Sequence, residues 1–166
     1  MTPIAPRQTS AAFSLLEVTI ALGLGAFCLL AILGLLQTGL TSEKATLGQT
    51  AASNILSTVF SDIISTPANL STSRIFHIPL DTPSSTSPRT IYFSEAAKPT
   101  GAIGAAPTAD SQYRVSIGIT PAPSTAKAAT TARILVTWPA AADPLPNQWP
   151  AKASGAVEVV TALDRN

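Results

Sequence analysis

Residues 13–36 read FSLLEVTIALGLGAFCLLAILGLL and carry a single charge, Glu17. As a helix rising about 1.5 Å per residue, this run would span about 36 Å. A bilayer core needs about 20 apolar residues. The segment therefore reads as a membrane element. A secretory signal peptide has an apolar region of about 7–15 residues, so this run is too long for one. No small-residue cleavage pattern closes it, because Gln37, Thr38, Gly39 and Leu40 lead straight on. The wider composition agrees. Hydrophobic residues make up 46% of the 166 and charged ones only 11%, against about 25% charged in an ordinary soluble domain. The apolar excess lies in the first forty residues, and the rest is rich in Ala, Thr, Ser and Pro. A formal net charge of +1 points neither to nucleic acid nor to an anionic membrane surface. Arg7 and the α-amino group precede the run, and Glu43 and Lys44 follow it, so the positive-inside tendency leans toward a cytoplasmic N-terminus.

Glu17 is the residue that needs explaining. A charge at the centre of a spanning helix costs about 2.5–3.5 kcal/mol on insertion scales. Glu17 lies only about 6 Å along the helix from Phe13, so its cost in place is smaller. Ser14-Leu15-Leu16-Glu17 fits the S-x-x-E capping box, in which the carboxylate closes the helix start and meets the positive end of the helix dipole. A snorkelling interfacial carboxylate is a second ordinary reading. Both account for a tolerated Glu, and neither accounts for the residues around it.

Those residues resemble the N-terminal signal of type IV prepilins and type II secretion pseudopilins. That family has a short polar leader, a cut after a small residue, then Phe, a few apolar residues and a Glu at the fifth mature position. By this resemblance residues 1–12 are the leader, with Arg7, Gln8, Thr9 and Ser10 as its polar part. The processing site lies between Ala12 and Phe13, and Ala12 stands where the family usually has Gly. Phe13 becomes the N-methylated mature residue, and Glu17 is the fifth and serves assembly. The implied partners are a prepilin peptidase, other pilin-like subunits and inner-membrane lipid, with no nucleic acid and no cofactor. The implied place is the inner membrane, crossed once with the N-terminus cytoplasmic and the head periplasmic, in a filament or at the cell surface. In a filament the amine of Phe13 would meet the Glu17 carboxylate of a neighbouring subunit. A buried carboxylate prefers an opposite charge nearby, so the pair would set helix register, as polar residues do in coiled coils.

The remaining sequence fits the same plan. Ala52, Ile55, Leu56, Val59, Phe60, Ile63 and Ile64 recur at helical spacing, and the residues between them, Asp62 included, are mostly polar. This is an amphipathic continuation over residues 37–66, laying one stripe on a sheet. Pro67 ends it and disfavours helical geometry at Thr66. One helix from about Phe13 to about Ser65 is expected, apolar all round over 13–36 and amphipathic after that. Gly23, Gly25, Gly34, Gly39 and Gly48 each weaken it by about 1 kcal/mol relative to Ala. Close packing of helices in the membrane and bending on leaving it are equally good reasons for them. Residues 113–119, 133–138 and 157–163 read as strands, the first half-buried by its alternation, and 75–78 and 90–93 as weaker ones. Residues 81–88, 98–109, 121–131 and 139–155 hold much of the proline and read as loops. The expected fold is α+β: a long N-terminal helix packed on a small antiparallel sheet, pilin-like, with residues 67–166 as a β-rich head. The helix together with IYFSE at 91–95, YRVSIGIT at 113–120, ILVTWPA at 134–140 and VEVVTALDR at 157–165 is similar to prepilin-like proteins of a verrucomicrobial gene cassette, the Verru_Chthon cassette protein B group.

Other chemistry is thin. His77 is the only histidine, and it lacks a partner set for zinc. Cys28 lies inside the apolar run and reads as a small apolar residue. No G-x-S-x-G turn marks a serine nucleophile, and Asp81, Glu95, Asp110 and Asp143 lack calcium-loop spacing. Trp138 reads as core packing and Trp149 as a loop anchor, with a contact surface as the alternative for both. The sequence is therefore expected to be a non-enzymatic minor pilin or pseudopilin-like subunit. The alternative is an unprocessed single-pass anchored protein whose β-rich head binds a ligand.

Overall fold

The computed structural model describes residues 14–122 and 129–165. The chain divides into two compact units, one ending at Glu43 and one beginning at Lys44. A single helix, α1 (Leu15–Ile64), supplies residues to both. In the first unit, Leu15–Gln37 has a mean hydropathy of 2.5 and none of its length is buried. Leu15, Leu22, Phe27, Leu30 and Leu35 each leave well over half their surface uncovered. Ser14 starts the helix as the capping motif requires, its Oγ accepting the Glu17 N–H at 3.1 Å. No neighbouring atom lies within 4 Å of where a Cβ would stand at Gly23, Gly25, Gly34 or Gly39.

The second unit is built on the amphipathic part of α1. Ala52, Ile55, Val59 and Ile63 are buried, the three- and four-residue steps that keep side chains on one helical face. They pack on a four-stranded antiparallel sheet in simple meander order. Its strands are β1 (Arg89–Phe93), β2 (Tyr113–Thr120), β3 (Thr130–Trp138) and β4 (Gly155–Leu163). The pairing aligns Ile91, Val115, Val136 and Val157 in one row across all four strands, and Ile117, Ile134 and Val159 in the next. A register that lines up β-branched residues on one face gives the helix a continuous apolar floor. The α+β architecture expected from the sequence is present in this coarse form.

Three features depart from the sequence reading. Residues 75–78 form a tight turn and no strand. The Asp62 carboxylate accepts the N–H of Ile75 at 3.0 Å and of Phe76 at 3.1 Å, His77 takes a positive φ of 53°, and Phe76 meets Phe93 edge-on at 5.6 Å. Asp62 itself, counted among the polar positions, is buried for that reason. The third departure is β2, whose alternation suggested one wet face but which is buried on both. A loop over residues 139–151 covers its second face. There Arg114, 1% exposed, donates through Nη1 to the Asp143 carbonyl at 2.6 Å and through Nη2 to the Gln148 carbonyl, and faces the Asp143 carboxylate at 3.3 Å. Trp149 is fastened by its indole N–H to the Ser85 carbonyl at 2.7 Å.

The two edges of the sheet differ. Along β1, Thr100 and Gly104 donate backbone N–H groups to the carbonyls of Tyr92 and Thr90 at 2.9 and 2.7 Å. Along the outer side of β4, no backbone hydrogen bond arrives from any described residue.

Candidate functional site

Ala12 and Phe13, the expected processing site, lie outside the described residues. Glu17 stands in the first turn of α1 with its side chain exposed. The unpaired N–H groups of a helix start favour an anion there. Beyond it come only apolar, Gly, Thr and Ala side chains as far as Leu36. The arrangement is a carboxylate at the mouth of a bare apolar cylinder. In lipid or against other helices, such a carboxylate is stabilised by a cation brought to it by a neighbour.

The second unit contains a pocket of about 420 Å³ lined by Leu47, Gly48 and Ala51 of α1 and by Glu95, Gln112, Tyr113 and Trp138. Trp138 shapes it. A Cβ at Gly48 would stand 2.9 Å from the indole Nε1, and one at Gly155 would collide with the benzo ring. The indole is thus seated between two residues that have no side chain, one on the helix and one on the neighbouring strand. That gives Gly48 a packing reason that neither membrane contact nor bending supplied. Tyr113 packs beside Trp138, ring centroids 6.2 Å apart and planes inclined by 56°. Burial, with Glu95 adding a smaller push, raises the Tyr113 pKa above its ordinary value, so its hydroxyl stays protonated at neutral pH.

The outer face of the sheet carries a second cluster, held by ring and ion-pair contacts. The Arg133 guanidinium lies 4.2 Å from the Trp149 ring centroid and holds both Glu158 oxygens, at 2.6 and 3.3 Å. Trp149 in turn crosses Gly118, where a Cβ would meet its ring at 2.7 Å. Arg165 pairs with Asp81 at 3.0 Å and donates to the Leu70 carbonyl. These contacts stitch loops to strands. His77 and Cys28 are both exposed, and among the described residues no three His, Cys, Asp or Glu side chains gather as a metal site would require.

Sequence reasoning missed Asp62, Arg114 and Glu95 as structural or pocket groups. Asp62 and Arg114 looked like solvated positions by period, and only the loops folded over them show otherwise. Comparison with protein-family models, with curated proteins and with solved structures finds no match to the chain.

Proposed function

We propose that the chain is a pilin-like structural subunit, cut between Ala12 and Phe13 by a prepilin peptidase and assembled through its N-terminal helix with other pilin-like subunits. The observation that carries this reading is the uncovered apolar stretch Leu15–Gln37 with its one carboxylate in the first turn. A helix bare all round needs lipid or other helices about it, and Glu17 then needs a cation. Cleavage ahead of Phe13 would create that cation at the start of every neighbouring subunit. The small antiparallel head on the amphipathic part of the same helix is compatible with this role. The amine–carboxylate pair would specify stagger: two helices displaced by one turn would leave both charges unpaired in an apolar setting.

The mature N-terminus tests the proposal. Protein recovered from membranes is expected to begin at Phe13, with the amine methylated and residues 1–12 gone, in intact-mass and N-terminal peptide analysis. A chain that keeps Arg7 would instead support an unprocessed anchored binding protein. One cut after Leu36 would support a signal sequence.

A further inference from the structure

The loop over residues 139–151 is built inside out. Its Leu145 is 56% exposed, while Thr90, Tyr92, Arg114, Ser116 and Thr137 are buried on the sheet. Strand pairing sets these polar residues on one face, Thr90 beside Ser116, Tyr92 beside Arg114, and Arg114 beside Thr137. The loop is fastened to that face by hydrogen bonds. Besides those of Arg114, the Tyr92 hydroxyl donates to the Pro144 carbonyl at 2.9 Å, and Thr90 Oγ1 accepts the Asn147 N–H at 3.0 Å. Lifting such a cover bares polar groups, which water can satisfy. With the cover down, two of them are buried without a partner, Arg114 Nε and Ser116 Oγ. They stand two residues apart on β2 and so share a face. A buried polar atom left unpaired is costly and rare.

The two arginines of the outer face show what is missing. Arg133 clasps Glu158 with the fork of Nε and Nη2, at 2.6 and 3.3 Å, the two-donor geometry that a carboxylate fits best. In Arg114 the same fork is split: Nη2 donates to the Gln148 carbonyl and Nε to nothing. Asp143 does not close it. Its Oδ1 faces Nη1 at 3.3 Å, and its Oδ2 is taken by the Ala151 N–H at 2.8 Å. We propose that the Nε–Nη2 fork of Arg114 receives an acidic side chain of another polypeptide once residues 143–148 lift, with the Ser116 hydroxyl donating to one of its oxygens. Asp143 and the Gln148 carbonyl are then internal stand-ins that keep the site closed. The stand-ins are themselves oxygens of a peptide segment, so the face is shaped for a polypeptide more than for a free anion. The assignment does not depend on whether Ala12–Phe13 is cut.

The test uses the full chain in uncharged detergent micelles and follows the Nε–H resonance of Arg114, assigned by its disappearance in Arg114→Lys. Two short peptides, acetylated and amidated, are titrated, alike except for a central glutamate or glutamine, alongside acetate and inorganic phosphate. In Asp143→Ala the glutamate peptide is expected to shift the resonance saturably. It should bind about tenfold more tightly there than to the parent, in which the closed loop competes. Adding Ser116→Ala to that variant should weaken binding about fivefold, the loss of one hydrogen bond. In the parent, Ser116→Ala alone should raise the urea midpoint, because it deletes a buried hydroxyl that has no partner. Backbone amides of β3 and β4 that keep their shifts in these variants separate loss of a donor from loss of the fold. No saturable shift in Asp143→Ala, or equal binding of the glutamine peptide, would overturn the site. A urea midpoint lowered by Ser116→Ala would overturn the idle donor. Acetate or phosphate binding as tightly as the glutamate peptide would overturn a polypeptide source.

Discussion

At the scale of single residues, the second unit depends on polar groups buried to hold turns and on glycines that make room for rings. Asp62 uses one oxygen for the Ile75 N–H and the other for the Phe76 N–H. An amide in its place has only one acceptor, so one buried donor loses its partner. Asp62→Asn should therefore cost about 1–3 kcal/mol. It should also speed hydrogen exchange at Ile75 and Phe76 ahead of the β2 and β3 amides. A urea titration gives the first quantity and residue-resolved exchange the second. Gly155 is a steric case. Any Cβ there meets the benzo ring of Trp138, held on its other side at Gly48. Gly155→Ala should destabilise the head by about 1–3 kcal/mol, the usual cost of overpacking, although alanine is ordinarily a mild change. An unaltered urea midpoint would mean that Trp138 can swing aside.

At the scale of elements, the loop over residues 139–151 is a lid tied to β2 by charge. The N–H of Ala151 donates to the Asp143 carboxylate at 2.8 Å. That bond, helped by the positive charge of Arg114, holds the Asp143 pKa below its ordinary value. A carboxyl whose pKa is depressed on folding contributes stability that is present above its unfolded pKa and disappears as the pH falls through the folded one. The lid should thus be held firmly above about pH 5 and loosen below about pH 4. Exchange at Ala151 should rise as the solution is acidified, after correction for intrinsic rates, and Asp143→Asn should flatten that dependence. Elements are also where sequence reading succeeds and fails most visibly here. Helix α1 and strands β2, β3 and β4 could be read within a few residues, because their apolar periods are strong and proline or polar loops separate them. The turn at 75–78 was misread because Ile75, Phe76 and Ile78 look like a strand, while the group that bends them, Asp62, is on another element. The burial of Arg114 was missed because the cover over β2 is a loop with no period at all. The carboxylate at Glu17 was readable, since one charge in an apolar run stands out. The pocket at Trp138 was not, since its walls come from four separate segments.

At the scale of the whole molecule, the proposed role makes a sharp demand on Glu17. Glu17→Ala should leave the head folded and the chain inserted, because removing a charge eases insertion. Processing should be largely kept, because under this proposal the peptidase would read the junction at Ala12 and Phe13. Co-assembly should fail, because the amine of Phe13 on the adjacent subunit would be buried without a counter-charge, at a cost of about 3–5 kcal/mol. Glu17→Gln should be nearly as damaging, since an amide fills the space without the charge. Crosslinking or co-purification with other pilin-like subunits compares the three proteins. If both variants assemble as well as the parent, the carboxylate serves only the helix cap that begins at Ser14.

The unequal margins of the sheet bear on what kind of polymer the heads can form. On β1 the carbonyls of Thr90 and Tyr92 are already taken by Gly104 and Thr100, while along the outer side of β4 no described residue makes a backbone hydrogen bond. Among the described residues the sheet thus offers one margin for strand addition. Two heads could join β4 to β4, and the reaction would stop there, because neither partner has a second margin to offer. A chain of heads linked strand to strand needs a valence of two, and the described residues supply one. An extended array, if the chain assembles as proposed, has to be propagated by contacts of another kind, and the Leu15–Gln37 stretch of α1 is uncovered on every side.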